Sequence, residues 1–246
     1  MIDSAQLFDA IVRERRSVRI YDQENDFDGD IVQRSLERAV LAPNSSNMQL
    51  WEFYRIIDPI KRNQIAKYCM NQNAARTARE LVVVVVRKDK WRERAKFMFN
   101  YHKKRIGNKT KTEYTKRDKR NLNYFGKLMP MYYFSDWFGI WAWIRKILVF
   151  SASFFRPVIW QVGNSDLRVV SHKSAALAAQ TFMLSMHAEG YHTCPMEGFD
   201  SWKVRRCMQL PYAAEINMII ACGKGKPEGI YTERIRVDNK EIIFSI

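Results

Sequence analysis

The chain has 246 residues, of which 47% are hydrophobic and 13% aromatic, and it carries a net charge of +15. This length can bury a large core, and without long polar tracts the composition excludes a disordered protein. Four cysteines without a C-x-x-C pair, and no histidine at zinc spacing, exclude a disulfide framework and predict no metal site, so we expect a reducing compartment.

The first half of the chain predicts three helices and two strands. Polar caps and apolar positions at helical spacing predict a helix that begins at Asp3 or Ser4, a second over 31–41 and a third from Asp58-Pro59 to about 79. A polar loop follows the second helix, which ends before Pro43. We predict strands over 50–57 and 81–86, the latter a β-branched run of a strand buried on both faces.

The second half predicts two further helices and two strands. Small and apolar residues at helical spacing indicate a helix over 174–189, closed by Gly190, and another runs from Asp200 or Ser201 to about 209. We expect 194–200 to be a loop and 216–222 and 241–246 to be strands. Helices and strands in this order, with few βαβ spacings, predict an α+β fold.

No segment suggests secretion or a membrane span. The N-terminal residues include Asp3 and Asp9 and lack an apolar core, so we expect no signal peptide. The longest uncharged apolar runs, 137–144 and 147–155, are interrupted by Arg145 and Lys146 and are too short to cross a bilayer. We therefore expect a cytoplasmic protein.

Three polar motifs could bind a ligand. The first is Arg15, Arg16, Ser17 and Arg19, whose guanidinium and hydroxyl groups suit phosphate. The second is the loop "APNSSNMQLWEF" at 42–53, rich in hydroxyl and amide groups, and the third is "PMEGF" at 195–199. Alone, each is explained as well by a solvated helix end, a polar loop or a turn. The glycines of "GKGKPEG" at 223–229 run into Pro227 instead of a helix, which excludes a dinucleotide fingerprint.

Together with the basic pair in "ERIRV", these motifs resemble the FMN-dependent nitroreductase family in their order and spacing, over about 1–86 and 172–246. The resemblance implies a single α+β domain over 1–246, with a central antiparallel-rich sheet flanked by helices, and an intertwined homodimer with FMN at its interface. Asn44 stands where the family usually has Ser, and Leu50 where it has Pro.

The resemblance also implies which residues bind FMN. Arg15, Arg16, Ser17 and Arg19 match the group at the phosphate and ribityl chain, to which Arg234 and Arg236 return. The loop residues Pro43, Asn44, Ser45, Asn47 and Gln49 match a segment that reaches the flavin from the other subunit. Pro195, Met196, Glu197 and Gly198 match the segment against the isoalloxazine, where a backbone N–H faces N5. Asn71 is a weaker match.

The implied activity is an FMN-dependent oxidoreductase. It takes hydride from NADH or NADPH to flavin N5 and reduces a nitroaromatic, quinone or similar acceptor by a ping-pong mechanism. We predict no catalytic acid, base or nucleophile, and we interpret Cys194, His172, His187 and His192 as incidental. The alternative is an FMN-binding protein without turnover, or a reductase at a membrane surface, whose residues 129–160 block or redirect access.

Residues 87–171 form an extended insertion of the family's variable region. Ten Lys and Arg stand against Glu113 and Asp118 in 96–120, and 11 aromatic residues follow between 129 and 160. Three interpretations remain open. In the first, the insertion is a lid and dimer core. In the second, the protein is peripheral at a membrane and contacts its anionic surface through residues 96–160. Nucleic-acid binding is the third, which no known basic-motif spacing supports.

Overall fold

The computed structural model describes residues 3–136 and 138–246, so that Trp137, in one of the apolar runs above, lies outside the described residues. Its helices are α1 (Ser4–Glu14), α2 (Gly29–Ala39), α3 (Pro59–Tyr68), α4 (Asn73–Thr77), α5 (Trp91–Ile106), α6 (Lys116–Asn123), α7 (Met129–Tyr133), α8 (Ile140–Ser153), α9 (Asn164–Ala188) and α10 (Ser201–Cys207). Its strands are β1 (Trp51–Ile56), β2 (Glu80–Val86), β3 (His192–Met196) and β4 (Glu215–Gly223).

The four strands form one antiparallel sheet in the order β1-β2-β4-β3. Every residue of β2 is buried, as its β-branched run predicted, and a bulge between Val84 and Val85 shifts its register against β4. Helices cover both faces of this sheet, which confirms the predicted α+β fold with a central antiparallel sheet.

Each face of the sheet has its own apolar core. On one face Val83 and Ile219 pack with Ile65 of α3 and with residues of α4 and α10. On the other face Val82 and Val84 pack with α2 and with the small-residue side of α9, whose Ala175, Ala178 and Ala179 are fully buried. Small side chains let the α9 backbone approach the sheet closely, which explains the alanine-rich pattern.

A third core lies at the side of the sheet and joins residues 87–171 to the body of the protein. Met48 and Leu50, from the loop before β1, are buried against Met98 of α5, Phe125 and Leu167. Phe125 belongs to a π-helical turn over 124–128 that joins α6 to α7. Residues 87–171 are largely helical. Their role as a lid or dimer element stays a prediction.

Three predicted helices have different bounds. The third helix ends at Tyr68 instead of about 79, because Met70 and Asn71 adopt positive φ values of 56° and 51°, which a helix cannot include. The helix predicted over 174–189 begins ten residues earlier, at Asn164, where the Asp166 carboxylate accepts the Gly163 N–H at 2.9 Å. The second helix is shifted to 29–39, since Asp28 caps it.

Two other predictions were wrong. Part of the predicted loop 194–200 is strand β3, because Thr193 to Met196 continue the sheet beside β4. The predicted strand 241–246 does not form in the described part of the chain, where these residues are exposed beyond a short 3₁₀ turn at Asn239–Glu241. Among the described residues, no helix is both long enough and apolar enough to cross a bilayer.

Candidate functional site

Residues from the two ends of the chain meet in a basic pocket. Arg15, Arg16, Ser17 and Arg19 follow α1, and residues 230–236 return beside them to enclose a cavity of about 260 Å³. Arg234 donates to the carbonyl oxygens of Val12 (3.2 Å) and Arg15, and Arg16 donates to that of Thr232 at 2.5 Å. These bonds hold the C-terminal segment against the end of α1. We call Arg15, Arg16, Arg19, Arg234 and Arg236 the arginine pocket.

The arginine pocket has an unbalanced charge. Within the described residues none of its five guanidinium groups forms an ion pair. The Nη1 atom of Arg15 is buried and has no hydrogen-bond partner in this part of the chain. Burial lowers the pKa of Arg15, and the nearby charges of Arg234, Arg236 and Arg16 lower it further. An anion with several acceptor oxygens would supply the missing partner and offset this repulsion, which is what a phosphate offers.

The first half of β3 pairs with the basic segment that lines this pocket. Ser17 forms a parallel bridge with Thr193, and the Val18 N–H donates to the Thr193 carbonyl at 3.2 Å. Cys194 therefore lies next to the start of the basic segment, and Pro195 to Gly198 follow directly. Met196 is buried, whereas Glu197 and Gly198 are exposed and leave the sheet. The two predicted motifs, basic and "PMEGF", are thus brought together by β3.

The turn between α3 and α4 meets the same loop. Gln72 donates from its side-chain amide to the Gly198 carbonyl at 2.7 Å, and a Cβ added at Gly198 would lie 3.3 Å from that amide nitrogen. The neighbouring Asn71 is exposed, with φ 51°. Asn71, weakly predicted from the sequence, therefore lies one residue from a direct contact with the 195–198 segment.

The polar loop at 43–49 is held by α9 and by Tyr124 of the insertion. The Ser45 N–H donates to the Ser174 hydroxyl on α9 at 3.2 Å, and Ser46 bonds the Tyr124 hydroxyl at 2.6 Å. The side-chain amide oxygen of Asn44 accepts a hydrogen bond from the backbone N–H of Gln49 at 2.9 Å. In the described residues no hydrogen bond joins this loop to the arginine pocket, and both groups stay predictions as parts of one site.

The loop is also conformationally unusual. Ser46, Asn47 and Gln49 adopt φ values of 54°, 52° and 48°, a left-handed conformation that costs a non-glycine residue roughly 1 kcal/mol or more. Three such residues within four positions, with only Met48 in the ordinary right-handed region, hold the hydroxyl and amide groups in one arrangement. Strain of this kind accumulates at functional sites more often than in connecting loops.

Comparison with known proteins identifies the family. Residues 12–224 match the model of the nitroreductase family, which is most of the chain. The chain belongs to the nitroreductase family. Among curated proteins, Protein DrgA of Synechocystis is 29% identical over 219 residues, covering 88% of this chain and 83% of DrgA.

Solved structures of nitroreductase relatives show the same fold. A Staphylococcus epidermidis protein named as an NAD(P)H:FMN oxidoreductase has a TM-score of 0.72 at 16% identity, covering 100% of this chain and 97% of that one. A nitroreductase from Exiguobacterium sibiricum in complex with FMN has a TM-score of 0.66 at 20% identity, with 97% of each chain covered.

The candidate site includes residues that the motifs did not reveal. Tyr231 places its ring 5.2 Å from the Arg19 guanidinium, and its hydroxyl accepts from the Asn73 amide at 2.9 Å. Gln72 is the other, through its bond to Gly198. Tyr231 follows the predicted glycine-rich segment by two residues, but only the return of the C-terminal segment reveals its position.

The histidines have mixed environments. His172, interpreted as having no partner pattern, lies between Glu215 (3.2 Å) and the Asn217 amide (3.0 Å), so its contacts were missed. The ring of His192 accepts the Gly225 N–H at 3.0 Å. Burial raises the pKa of the Cys194 thiol, which keeps it protonated and a poor nucleophile. Within the described residues no cluster of His, Cys, Asp and Glu could hold a metal ion.

Proposed function

We propose that this nitroreductase-family protein is an FMN-dependent oxidoreductase that uses NADH or NADPH as its reductant. The observation that carries the proposal is the arginine pocket, with its unpaired buried Arg15 Nη1, joined through the Ser17–Thr193 bridge to β3, which the exposed residues Glu197 and Gly198 follow. A flavin mononucleotide presents a phosphate at one end and a flat, mixed polar ring at the other. The two neighbouring regions suit these two ends.

The arginine pocket would hold the phosphate. Arg15 offers the donor that lacks a partner, and Ser17 adds a hydroxyl in the same cavity. Arg234 is already fixed by two carbonyl oxygens, which reduces the side-chain entropy lost when it holds a ligand. Five guanidinium groups without a carboxylate partner suit a dianionic phosphate, which their forked N–H donors can bind bidentately.

The segment Pro195–Gly198 would lie against the flavin ring. The N–H groups of Glu197 and Gly198 donate to no acceptor within the described part of the chain, and both residues are exposed. Gln72 holds the Gly198 carbonyl and so fixes the peptide orientation of this turn. A free backbone N–H in this turn would donate to a flavin ring nitrogen such as N5.

When bound, FMN supplies the redox chemistry, taking hydride from the nicotinamide and passing electrons to an acceptor such as a nitroaromatic or a quinone. We assign the chain's residues to binding and orientation and name no acid or base, because Cys194 is buried and protonated. We infer ping-pong kinetics, since both substrates need the same open side of the ring. The names of the relatives support the reductant and the flavin but do not identify the acceptor.

We further propose that the protein works as a homodimer. The strained loop at 43–49 is held on α9 and Tyr124, and within the described residues it makes no hydrogen bond to the arginine pocket of its own chain. Its exposed Ser45 and Asn47 could reach a flavin bound by a second copy. An isologous arrangement would give two equivalent sites, each completed by the other chain.

Purification and anaerobic titration test this function. We expect a yellow dimer by light scattering, whose visible flavin absorption bleaches on addition of NADH or NADPH and returns with a quinone or nitroaromatic. A yellow protein that neither nucleotide bleaches would indicate flavin binding without turnover. A colourless protein that takes up no FMN would refute both.

A further inference from the structure

The insertion carries an exposed apolar patch between residues 138 and 160. Eleven large apolar side chains there are exposed, among them Phe138, Trp143, Ile147, Phe154, Phe155 and Trp160. Phe155 and Phe138 are 89% and 83% exposed. A soluble domain seldom exposes so many contiguous apolar groups unless they contact something.

Most of the patch lies on α8, a helix with its charged side chain facing inward and its apolar side chains facing outward. The only buried residue of α8 is Arg145, whose guanidinium donates to the carbonyl oxygens of Val162 (2.8 Å) and Phe134 (2.5 Å) and to the Asn164 side chain (3.1 Å). The charged group is therefore on the inner side of the helix and the apolar groups are on its outer side. A helix that contacts only water would show the opposite arrangement.

The attachment of α8 to the body is well defined. Asp136 caps its first turn by accepting the N–H groups of Ile140 and Trp141 at 2.8 Å each. The Trp141 indole donates to the Met131 carbonyl of α7 at 2.9 Å. These bonds, with those of Arg145, hold the outward orientation of the patch, so it is a property of the fold.

The charge around the patch indicates the sign of its partner. Residues 87–171 contain 20 Lys and Arg against 6 Asp and Glu, a net charge of +14 out of the chain's +15. Lys146 and Arg156 lie within the patch, and no acidic residue occurs between Asp136 and Asp166. All ten basic residues of 96–120 are exposed. The partner is therefore anionic.

We infer that residues 96–160 dock this protein on an anionic lipid bilayer, with α8 lying in the plane of the interface. At about 1.5 Å per residue the 14 residues of α8 reach roughly 21 Å, short of the roughly 30 Å hydrocarbon core, so it lies on the surface. Exposed tryptophans beside lysine and arginine are typical of the headgroup layer. Lys146 lies 5.8 Å from the Trp143 ring, a pairing suited to that depth.

Two other occupants fit the patch less well. A second copy bound through the same face would bring together two patches that each carry Lys146 and Arg156 without an acidic residue, which opposes association. Nucleic acid would use the basic and aromatic groups, but not the aliphatic Ile140, Ile144, Ile147 and Leu148, which are exposed among them. A bilayer uses both kinds of side chain.

Vesicle flotation of the full chain tests this inference. We expect binding to phosphatidylglycerol-containing vesicles at low salt, weaker binding at high salt, and little to pure phosphatidylcholine. The triple variant W143S/F154S/F155S should reduce the partition coefficient at least tenfold. Replacing Lys103, Lys104 and Arg105 with Gln should also reduce it at least tenfold, since each charge contributes about fivefold.

The matched control is W202S/Y212S, which removes exposed aromatic residues outside the insertion. It should bind vesicles like the unmodified protein. Equal flavin content and unfolding midpoints in all variants would show that folding is intact, and flotation itself does not depend on FMN. The inference is overturned if anionic vesicles float no protein, if the control loses as much binding as W143S/F154S/F155S, or if that variant changes the oligomeric state.

Discussion

Arg15 should affect flavin affinity and stability in opposite directions. Its Nη1 atom is buried without a partner, and three neighbouring arginines add positive charge. In the flavin-free protein this group therefore destabilises the fold. A bound phosphate would accept a charge-assisted hydrogen bond from this atom. Arg15→Gln therefore removes an unsatisfied buried donor from the flavin-free protein and a phosphate contact from the flavin complex.

The magnitudes follow from these two roles. A charge-assisted hydrogen bond contributes about 1.5–3 kcal/mol, so the Kd for FMN should rise about 10- to 150-fold. An unsatisfied buried donor costs about 1–3 kcal/mol, and because Arg15 is only half-buried we take the lower end, about 1 kcal/mol. The Tm of the flavin-free protein should then rise by about 2–4 °C. The backbone carbonyl that Arg234 contacts remains in place.

Two measurements on one preparation check this prediction. Fluorescence titration gives the Kd for FMN, and thermal melting of the flavin-free protein gives the Tm. The control is Arg13→Gln, two residues away, since Arg13 is exposed and already paired with Asp9 at 2.6 Å; it should change neither quantity. A lower Tm together with unchanged FMN affinity in Arg15→Gln would refute the reasoning.

Three further predictions concern the pocket, the insertion and pH. Replacing Arg16 and Arg236 together with Ala should weaken FMN binding tens-fold or more, and unchanged flavin retention after dialysis would exclude them as phosphate ligands. Arg145→Met should lower the free energy of unfolding by about 1–3 kcal/mol, because it leaves buried carbonyl oxygens without a hydrogen-bond donor. Urea unfolding measures this loss, and limited proteolysis should show faster cleavage near 154–162 as α8 loosens. Unaltered cleavage would contradict this prediction. Burial favours a higher pKa for Glu52, but hydrogen bonds from Lys90, Tyr54 and Arg87 outweigh burial and lower the pKa in the folded protein. The carboxylate therefore stabilises the fold fully above its unfolded pKa of about 4.3, and this contribution is lost as the pH falls through the lower pKa of the folded state. Glu52→Gln should therefore reduce the loss of stability between about pH 5 and 3, and an identical acid profile would count against it.

The family was predictable because the motifs of the candidate site are local in sequence. The basic segment 15–19, the polar loop 43–49 and "PMEGF" each show a residue pattern that resembles one family, and the family match over 12–224 confirmed the assignment. Gln72 and Tyr231 were missed, because their roles depend on contacts of 126 and 158 residues in sequence separation. No local pattern reports such a contact.

The sequence alone determined the buried strand β2, the small-residue face of α9 and the excess charge of the insertion, since periodicity and composition act over short distances. Only the tertiary structure decided that the third helix breaks at Met70, that 193–196 joins the sheet, and that residues 241–246 form no strand with the described chain. It also decided which way α8 faces. Its apolar sequence would fit a buried helix equally well, but the hydrogen bonds of Arg145 to carbonyl oxygens outside α8 fix that side chain inward and leave the apolar side chains facing outward.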